Sequence, residues 1–390
     1  MNTCPLCHQN NATSFIRIDD FPLLLFPVSE YLKNKIEKKR LETYICADCN
    51  HIFRSPIAEE DAQLIYNNYY AFYPFENLES MNEPYRIPFR RVFHDVYQTI
   101  QRPATLLEVG CGSSEQLGFF RTYGIKAFGI DRSVSVDKSS SNIISGVYEE
   151  YDFPHRFDTI VSRFSLEHLN DVHGFFRKVK QDLNADGVLF IQVPNVYAFA
   201  GSLIPLFLAH EHIHYFNPYS LHIAAVENGF QVVVAHHDGS QSIIFALRRE
   251  DAPIRQRPMI IPKVPDGFYR DYLERRRVLA QDLTSVLSRT NHCYFYGAGL
   301  SLCWILYELK AMEKLVNVAV IDDNCLAQGK FLPHTSYRIA NLEDTKFREH
   351  STMILSMNPV YHKNVISKIR ASDFRGEVYV ISNVGLSKLI

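Results

Sequence analysis

Short apolar runs that end in glycine or aspartate mark the middle of the chain. Thr105–Val109 reads T-L-L-E-V, is rich in residues that favour strands, and leads into Gly110 and Gly112. A buried parallel strand that enters a tight turn and then a helix has this pattern. The next apolar run, Lys126–Ile130, ends at Asp131, whose carboxylate can accept hydrogen bonds from a ribose diol. The pattern predicts a βαβ unit with a nucleoside-bearing ligand at the carboxyl ends of its strands.

Further apolar runs extend this unit into a doubly wound sheet. A weak third strand is predicted at Asn142–Ser145, a clear fourth at Phe157–Ser162 and a fifth at Val188–Val193, after a turn at N-A-D-G. The last two runs, Phe230–Ala235 and Ser242–Leu247, are joined so tightly that they must be antiparallel neighbours. An antiparallel pair at the end of a parallel sheet is not the ordinary plan of a dinucleotide dehydrogenase.

The last third of the chain repeats the pattern. Cys293–Tyr296 reads as a strand, Gly297–Ser301 as a glycine turn, and Val316–Ile321 as a second strand that ends at Asp322. This arrangement predicts a second, smaller Rossmann-like domain.

Length and linkers divide the chain into three predicted domains. A chain of 390 residues is too long for one ordinary core. A proline-rich segment precedes the last Rossmann-like pattern, and two C-x-x-C pairs lie before the first. The expected domains are residues 1–85, 86–250 and 251–390, which makes the fold an α/β class with a small N-terminal domain.

Composition and charge argue against two classes of binding partner. The chain is 46% hydrophobic and 22% charged, with a formal net charge of −2. The absence of a basic excess argues against nucleic acid and anionic membranes as partners. The longest apolar stretch, Val196–Ala209, is interrupted by Gly201 and Pro205 and is too short to span a bilayer. A cytoplasmic protein with a small-molecule substrate is expected, and the oligomeric state is left open.

Four of the eight cysteines form two C-x-x-C pairs, Cys4/Cys7 and Cys46/Cys49. In a cytosolic chain such pairs indicate a metal before a disulfide. Four thiolates around one ion are the ligand set of a closed, structural zinc site. The four cysteines are therefore the predicted ligands of a structural Zn²⁺ ion, and reduced thiols on two turns are the plainer alternative.

The first glycine turn fits S-adenosylmethionine better than NAD. The third glycine of the dinucleotide motif is missing, and Glu108 lies where it would repel a pyrophosphate. S-adenosylmethionine has an ammonium, a sulfonium and a ribose diol, and it has no phosphate. With the terminal antiparallel pair, this predicts a class I methyltransferase domain. The predicted cofactor-binding residues are Glu108, Gly110, Cys111, Gly112, Asp131, Arg132, Ser162 and Arg163.

A histidine-rich stretch follows the fifth strand and reads A-H-E-H-I-H-Y-F from Ala209. It could be a polar loop that packs before a helix, or a metal site, although no further ligand is evident nearby. The third interpretation makes His212 a general base steadied by Glu211, because histidine titrates near neutrality and a carboxylate fixes its tautomer. Glu167 and His168, in the loop after the fourth strand, could as well be structural.

The whole chain resembles the sugar C-methyltransferases that act on nucleotide-linked deoxysugars. The shared features are the two C-x-x-C pairs, an aromatic segment at Tyr69–Tyr73, the E-H-x-x-Y-F signature at Glu211–Phe216, and a pattern similar to Q-G-x-x-x-P-G-T at Gln328–Thr335. The order of three domains with these motifs is what makes the resemblance specific.

This resemblance implies methylation of a sugar carbon next to a ketone. A base removes the acidic proton, and the enolate carbon attacks the methyl group of S-adenosylmethionine. His212 would be that base, Glu211 would orient it, and Tyr70 or Tyr73 would stabilise the enolate oxygen. The zinc domain would hold the aromatic wall of the pocket.

Three departures from the family pattern lie around the expected sugar-nucleotide site. Ala209 and His210 occupy positions before the E-H pair where a tyrosine is common, the turn at Gly297–Ser301 lacks the family's lysine, and His334 replaces a glycine. An O- or N-methyltransferase acting on a related sugar or small metabolite therefore stays an alternative. A binding protein that keeps the fold without catalysis is a further one.

Overall fold

A computed structural model describes residues 3–72, 83–100, 102–112, 115–132, 142–203, 208–252, 259–308 and 317–389. The strands, in chain order, are β1 Ala12–Pro22, β2 Lys38–Cys46, β3 Ile52–Phe53, β4 Thr105–Val109, β5 Lys126–Asp131, β6 Ile143–Ser145, β7 Phe157–Arg163, β8 Leu183–Pro194, β9 His214–Tyr215, β10 Phe230–His236, β11 Ser242–Arg249, β12 Cys293–Tyr296, β13 Val318–Ile321, β14 Ile339–Ala340, β15 Thr352–Leu355, β16 Glu377–Ser382 and β17 Gly385–Lys388. The helices are α1 Glu59–Phe72, α2 Glu83–Thr99, α3 Glu115–Arg121, α4 Val172–Asp182, α5 Val196–Gly201, α6 Pro218–Glu227, α7 Phe268–Ser288, α8 Leu300–Glu308 and α9 His362–Ala371. Within these ranges, no helix is both long and apolar enough to cross a membrane.

The central sheet has the order β10-β11-β8-β7-β4-β5-β6. The strands from β8 to β6 are parallel, whereas β11 lies antiparallel between β8 and β10. The predicted antiparallel pair is confirmed, and so is the α/β fold with a doubly wound sheet. Because β4 lies between β7 and β5 and is parallel to both, the carboxyl ends of these three strands meet at one edge, where ligands of such sheets bind.

The C-terminal sheet has the order β14-β13-β12-β15-β16-β17, and its strands are parallel except for β17. The glycine turn after β12 is closed by a hydrogen bond from the Ala298 N–H to Asp322 Oδ2, 2.7 Å long. Oδ1 of Asp322 accepts the Asn324 N–H at 2.8 Å. Both carboxylate oxygens of Asp322 are therefore hydrogen-bonded within the protein.

The N-terminal sheet contains a strand that the sequence pattern did not indicate. β1, β2 and β3 form an antiparallel sheet, and β9, from the middle of the chain, adds to its edge against β3. Ile52 pairs with Tyr215 and Phe53 with His214. Two residues are too few for any periodicity to predict a strand, so this pairing depends on the tertiary structure.

The N-terminal and C-terminal parts also share a core. Val28 and Phe331 exchange two backbone hydrogen bonds of 2.8 and 2.9 Å. His334 has a φ of 55°, in the left-handed region, and its Nε2 donates to the Ile36 carbonyl at 2.6 Å. The residue that replaces the family's glycine thus keeps a backbone conformation that glycine adopts most easily.

The predicted turn at N-A-D-G lies inside β8. Between the pairs Phe157–Leu183 and Thr159–Val188 the register shifts, so the extra residues form a bulge within the strand rather than a turn outside it. Asn184 anchors the bulge by donating to Asp158 Oδ1 at 2.9 Å.

Asn217 joins the start of α6 to the second cysteine pair. Its side chain accepts from the Ser220 N–H at 2.9 Å and donates to the Asn50 carbonyl at 2.8 Å, and Asn217 is fully buried.

Asn217→Ala removes both bonds and should lower the free energy of unfolding by about 1–3 kcal/mol, measured as a fall in apparent Tm of several degrees.

Asn217→Ser is the matched variant, because serine still caps the helix but is too short to reach Asn50. We expect it to recover part of the lost Tm. Both variants should expose Cys46 and Cys49 to a thiol reagent faster than the native protein does, because Asn50 belongs to the same turn. Unchanged thiol reactivity in both variants would contradict this assignment.

Candidate cofactor and catalytic site

The turn after β4 is folded back onto β5. The Gly110 N–H donates to the Ile130 carbonyl at 2.9 Å, and the Gly112 N–H donates to Asp131 Oδ2 at 2.9 Å. Gly110 and Gly112 have φ values of 71° and 50°, which L side chains rarely adopt. The predicted glycines thus hold the predicted aspartate at the edge of the sheet.

The segment after β7 lies directly against this turn. A Cβ added to Gly110 would lie 2.0 Å from Ser165 Oγ, and a Cβ on Gly129 would lie 2.5 Å from Cys111 Sγ. Cys111 is therefore a packing residue of the turn, and burial raises the pKa of its thiol. The close approach places Ser165, and the residues that follow it, beside the cofactor face.

Glu108 and Arg163 form a buried, opposite-charge pair at this edge. Glu108 Oε1 lies 4.0 Å from Arg163 Nη1, and Glu108 is 3% exposed. Burial raises the pKa of Glu108 to about 7, although the nearby guanidinium opposes the shift. Glu108 Oε2 and Ser162 Oγ have no hydrogen-bond partner among the described residues. Buried polar atoms without a partner are costly, so these two suit a polar ligand such as an ammonium group.

Arg163 is held from two sides. Its Nε donates to Gln192 Oε1 at 2.8 Å, and its guanidinium lies 4.6 Å from the centre of the Phe89 ring. Burial lowers its pKa to about 10, so it stays charged at neutral pH. The Arg163 guanidinium can bind the carboxylate of an amino acid, and the Oε2 atom of Glu108 can accept from its ammonium group.

Arg132 lies outside this buried set. It is exposed, and its Nη2 donates to Glu59 Oε1 of α1 at 2.6 Å. The pair connects α1 to the end of β5. A role for Arg132 in cofactor binding stays a prediction.

A second cluster of titratable side chains lies after β7, where a short 3₁₀ turn spans Leu166–His168. Ligand-type atoms of Glu167, His168 and His212 all lie within 4.8 Å of one another. The rings of His168 and His212 meet edge to face with centroids 4.8 Å apart. His168 Nδ1 lies 3.0 Å from the Glu211 carbonyl oxygen, which fixes this nitrogen as the donor. The histidine-rich stretch therefore does have neighbouring ligand-type groups, and they come from the loop after β7.

Burial shifts the pKa values of three groups around His212. It raises the pKa of Glu167 to about 8 and that of Glu211 to about 7, and it lowers the pKa of His168 to about 4. Groups of this kind, buried together and shifted toward their neutral forms, are typical of sites that move protons.

The other two histidines of the stretch, His210 and His214, form hydrogen bonds to residues of the N-terminal part of the chain. His214 Nδ1 lies 3.0 Å from His51 Nε2, and His214 Nε2 lies 3.0 Å from the Leu169 carbonyl. His210 Nδ1 lies 3.1 Å from Arg54 Nη1, which leaves that nitrogen as the acceptor, and its Nε2 donates to the Phe21 carbonyl at 3.2 Å. Burial lowers the pKa of both histidines to about 4, so they are neutral structural groups.

The predicted tyrosines give less information. Tyr70 lies on α1, but its side chain lies outside the described residues, as does the whole of Tyr73. Tyr66, one turn earlier on α1, meets the His168 ring edge to face at 6.0 Å. Helix α1 therefore reaches the cluster through Tyr66, a residue that was not among the predicted catalytic tyrosines.

The four N-terminal cysteines converge as predicted for one metal ion. Their sulfurs lie within 4.8 Å of one another, and the pairs Cys4–Cys49 and Cys7–Cys46 are each 3.6 Å apart. Four sulfurs bonded at about 2.3 Å to one ion lie about 3.8 Å apart, so the spacing fits zinc. A hydrogen bond to Cys49 lowers the pKa of Cys4 to about 5, which favours a thiolate there.

The two cysteine turns have the same backbone geometry. His8 and Asn50 follow the first cysteine of their pairs by four residues, both have a positive φ, and both donate to that cysteine's carbonyl at 3.0 Å. Paired turns of one shape present four sulfurs symmetrically, as a tetrahedral ion requires.

Glu167 and His168 are the site residues that sequence reasoning did not select. Their signal was the E-H pair in the loop after the fourth strand, which the analysis allowed to be structural. The burial of Glu167, at 2% exposure, and its position within 4.8 Å of a His212 ring nitrogen became visible only in the fold.

The comparisons with known proteins agree with this geometry. Residues 81–235 match a family model described as a methyltransferase domain. The C-methyltransferase NovU of Streptomyces niveus is 27% identical over 253 residues, which cover 58% of this chain and 60% of that protein. The chain thus spans less than two thirds of the length of this curated relative.

Solved structures of other methyltransferases resemble the fold more distantly. The 1,6-didemethyltoxoflavin N1-methyltransferase of Burkholderia thailandensis, with bound 1,6-didemethyltoxoflavin and S-adenosylhomocysteine, is 15% identical. It matches 52% of this chain and 97% of its own with a TM-score of 0.40. The glycopeptide N-methyltransferase MtfA, in complex with S-adenosylmethionine, is 15% identical. It matches 41% of this chain and 92% of its own with a TM-score of 0.33. Likenesses at this level carry no information on the substrate.

The family match covers the glycine turn, the Glu108–Arg163 pair and the loop that carries Glu167 and His168. Residues 81–235 therefore have the sequence pattern of a methyltransferase domain.

Proposed function

We propose that this chain is a C-methyltransferase that uses S-adenosylmethionine to methylate a carbon next to the ketone of a nucleotide-linked deoxysugar. The observation that carries the proposal is the cluster of Glu167, His168, Glu211 and His212 beside the glycine turn, in which Glu167 is buried and the other three are half-buried. A carbon acid needs a base at the methyl donor, and this cluster supplies one. The C-methyltransferase activity named for NovU supports the same reaction.

The amino-acid end of S-adenosylmethionine matches the charges at the end of β4. Its ammonium would approach the unpaired Oε2 of Glu108, and its carboxylate would approach the Arg163 guanidinium. An ammonium at Glu108 would also favour the ionised carboxylate, whose pKa is raised to about 7 without it. Asp131, held by the Gly112 N–H, would accept from the ribose hydroxyls.

His212 is the proposed base. It takes the proton from the sugar carbon, and the electron pair of that C–H bond enters the enolate. Bound S-adenosylmethionine would supply its methyl group to the enolate carbon, and the electron pair of the broken S–CH₃ bond would stay on sulfur to give S-adenosylhomocysteine. His212 afterwards releases the proton to solvent. The protein's contribution is position, because the methyl group is already activated.

The residues around His212 pack against its imidazole ring. The Glu211 carbonyl accepts from His168, and the His168 ring packs against His212. Orientation of His212 by the Glu211 carboxyl, and stabilisation of the enolate by Tyr70 or Tyr73, stay predictions of the family resemblance.

A structural zinc ion is proposed at Cys4, Cys7, Cys46 and Cys49. The turn that carries Cys46 and Cys49 directly precedes β3. Strand β3 pairs with β9, which lies within the E-H-I-H-Y-F signature. The ion would thus stabilise the support of the catalytic stretch and take no part in the chemistry.

Gly110→Ala tests the cofactor face. The methyl group would meet Ser165 Oγ at 2.0 Å and Ser165 Cβ at 3.0 Å, so the turn must open. We expect S-adenosylhomocysteine to bind at least about tenfold more weakly by isothermal titration calorimetry, a loss of about 1.4 kcal/mol or more.

Gly124→Ala is its control, because Gly124 has a similar φ of 77° but no atom within 4 Å of an added Cβ. It should share the backbone strain and keep the native affinity. Equal affinities in both variants and the native protein would refute the placement of the cofactor at this turn.

His212→Asn tests the base. Nucleotide-linked keto-sugars in D₂O, without S-adenosylmethionine, should exchange the hydrogen next to the ketone for deuterium with native enzyme, as followed by NMR. The variant should lose exchange and methylation by about 10²–10⁴-fold while still binding S-adenosylhomocysteine.

The control is His94→Asn, at an exposed histidine of α2, which should leave both rates unchanged. Methylated product without any exchange would instead indicate an O- or N-methyltransferase. Binding of the methyl donor without turnover on any keto-sugar would favour a non-catalytic role.

A further inference from the structure

Three ligand-type side chains in the catalytic cluster form a set separate from the cysteines. Glu167 Oε1 lies 4.0 Å from His168 Nε2, and a nitrogen of His212 completes a group whose donor atoms are all within 4.8 Å. Donors bonded at about 2.1 Å to one tetrahedral ion lie about 3.4 Å apart. Side-chain movements on the order of 1 Å would therefore bring the three donor atoms to the spacing that one bound ion requires.

Two independent features point to a ligand at this place. Glu167 is 2% exposed, and its Oε2 has no hydrogen-bond partner among the described residues. His168 donates its Nδ1–H to the Glu211 carbonyl, so its Nε2 carries a lone pair that faces the Glu167 carboxyl. Metal-binding histidines are held in this way, with one nitrogen fixed by a carbonyl and the other turned to the metal.

The donor set selects a class of ion. Two imidazoles and one carboxylate suit a divalent transition metal such as Zn²⁺, Co²⁺ or Ni²⁺, whereas Mg²⁺ and Ca²⁺ prefer oxygen ligands throughout. The four cysteines form a closed, sulfur-only set. The two sets therefore differ in chemistry and can be told apart by spectroscopy.

We propose that Glu167, His168 and His212 form a second, transition-metal site, and that a metal ion bound there inhibits the enzyme by occupying the nitrogen of its base. The inhibition rests on the function proposed above, because a coordinated His212 has no lone pair left to accept the proton of the sugar carbon. The binding itself depends only on the three side chains. Free Zn²⁺ would thereby control access to the enolate step.

The binding test uses the full-length protein in metal-free buffer, dialysed to equilibrium against Zn²⁺ and analysed by elemental mass spectrometry. Native protein should bind two equivalents, one at the cysteines and one at this site. Glu167→Gln keeps the shape of the side chain but loses the anionic ligand, and His168→Asn loses an imidazole. Each should bind one equivalent at concentrations that fill both sites of the native protein.

Cobalt provides a second readout that reports on each site separately. The sulfur-only site gives intense charge-transfer absorption, and filling the nitrogen–oxygen site should add only weak visible bands. Glu167→Gln should lack the second component and keep the first, which also shows that the variant is folded. His94→Asn, which removes an exposed histidine, should keep both components. One equivalent in the native protein, or a second equivalent that survives in Glu167→Gln and His168→Asn, would overturn the site.

The inhibition test is the deuterium exchange described above, with and without a second equivalent of Zn²⁺. Exchange by the protein with one equivalent should stop when the second is added and return with a mild chelator. Exchange that continues with both equivalents bound would overturn the inhibition. Absence of exchange at one equivalent, with two-equivalent binding intact, would refute the proposed function and leave the metal site in place.

Discussion

The backbone pairing of β3 with β9 is the constraint on which the histidine-rich stretch depends. His214 and Tyr215 pair with the N-terminal sheet, and His210 is held by Arg54 and by a carbonyl of β1. His210 and His214 are thus anchored by hydrogen bonds, and His212 lies midway between them in the sequence. A base that must reach one carbon of a substrate needs such a support, because small displacements of a reacting group cost large factors in rate.

Burial determines the electrostatics at both parts of the site. Glu108, Glu167 and Glu211 are removed from water and have raised pKa values, whereas His168 has a lowered one. In the absence of ligands the neutral forms are therefore favoured, which limits the cost of enclosing these groups. A ligand that brings a cation, whether an ammonium or a metal ion, would draw the carboxyls back toward their ionised forms.

Sequence patterns predicted the sheets well and the site in part. The glycine turn, Asp131 and the paired cysteines were found because a motif of fixed spacing carries its own local geometry. β9 and the bulge in β8 were missed, because a two-residue strand and a register shift leave no periodic signal. Glu167 was left undecided, because its burial is a property of the fold and not of its neighbours in sequence.

The sequence by itself determined the order of strands and turns, the clustering of the four cysteines and the charge pattern of the cofactor turn. The strands, the turns and each C-x-x-C pair depend on residues close together along the chain, and the two cysteine pairs were joined because one ion needs four sulfurs. Only the tertiary structure decided which histidines of the stretch are structural, and that His212 meets Glu167 and His168. The partners of those side chains lie in β1, next to β3 and in the loop after β7. Long-range packing alone brings such segments together, since no local preference encodes a contact between residues so far apart in the chain.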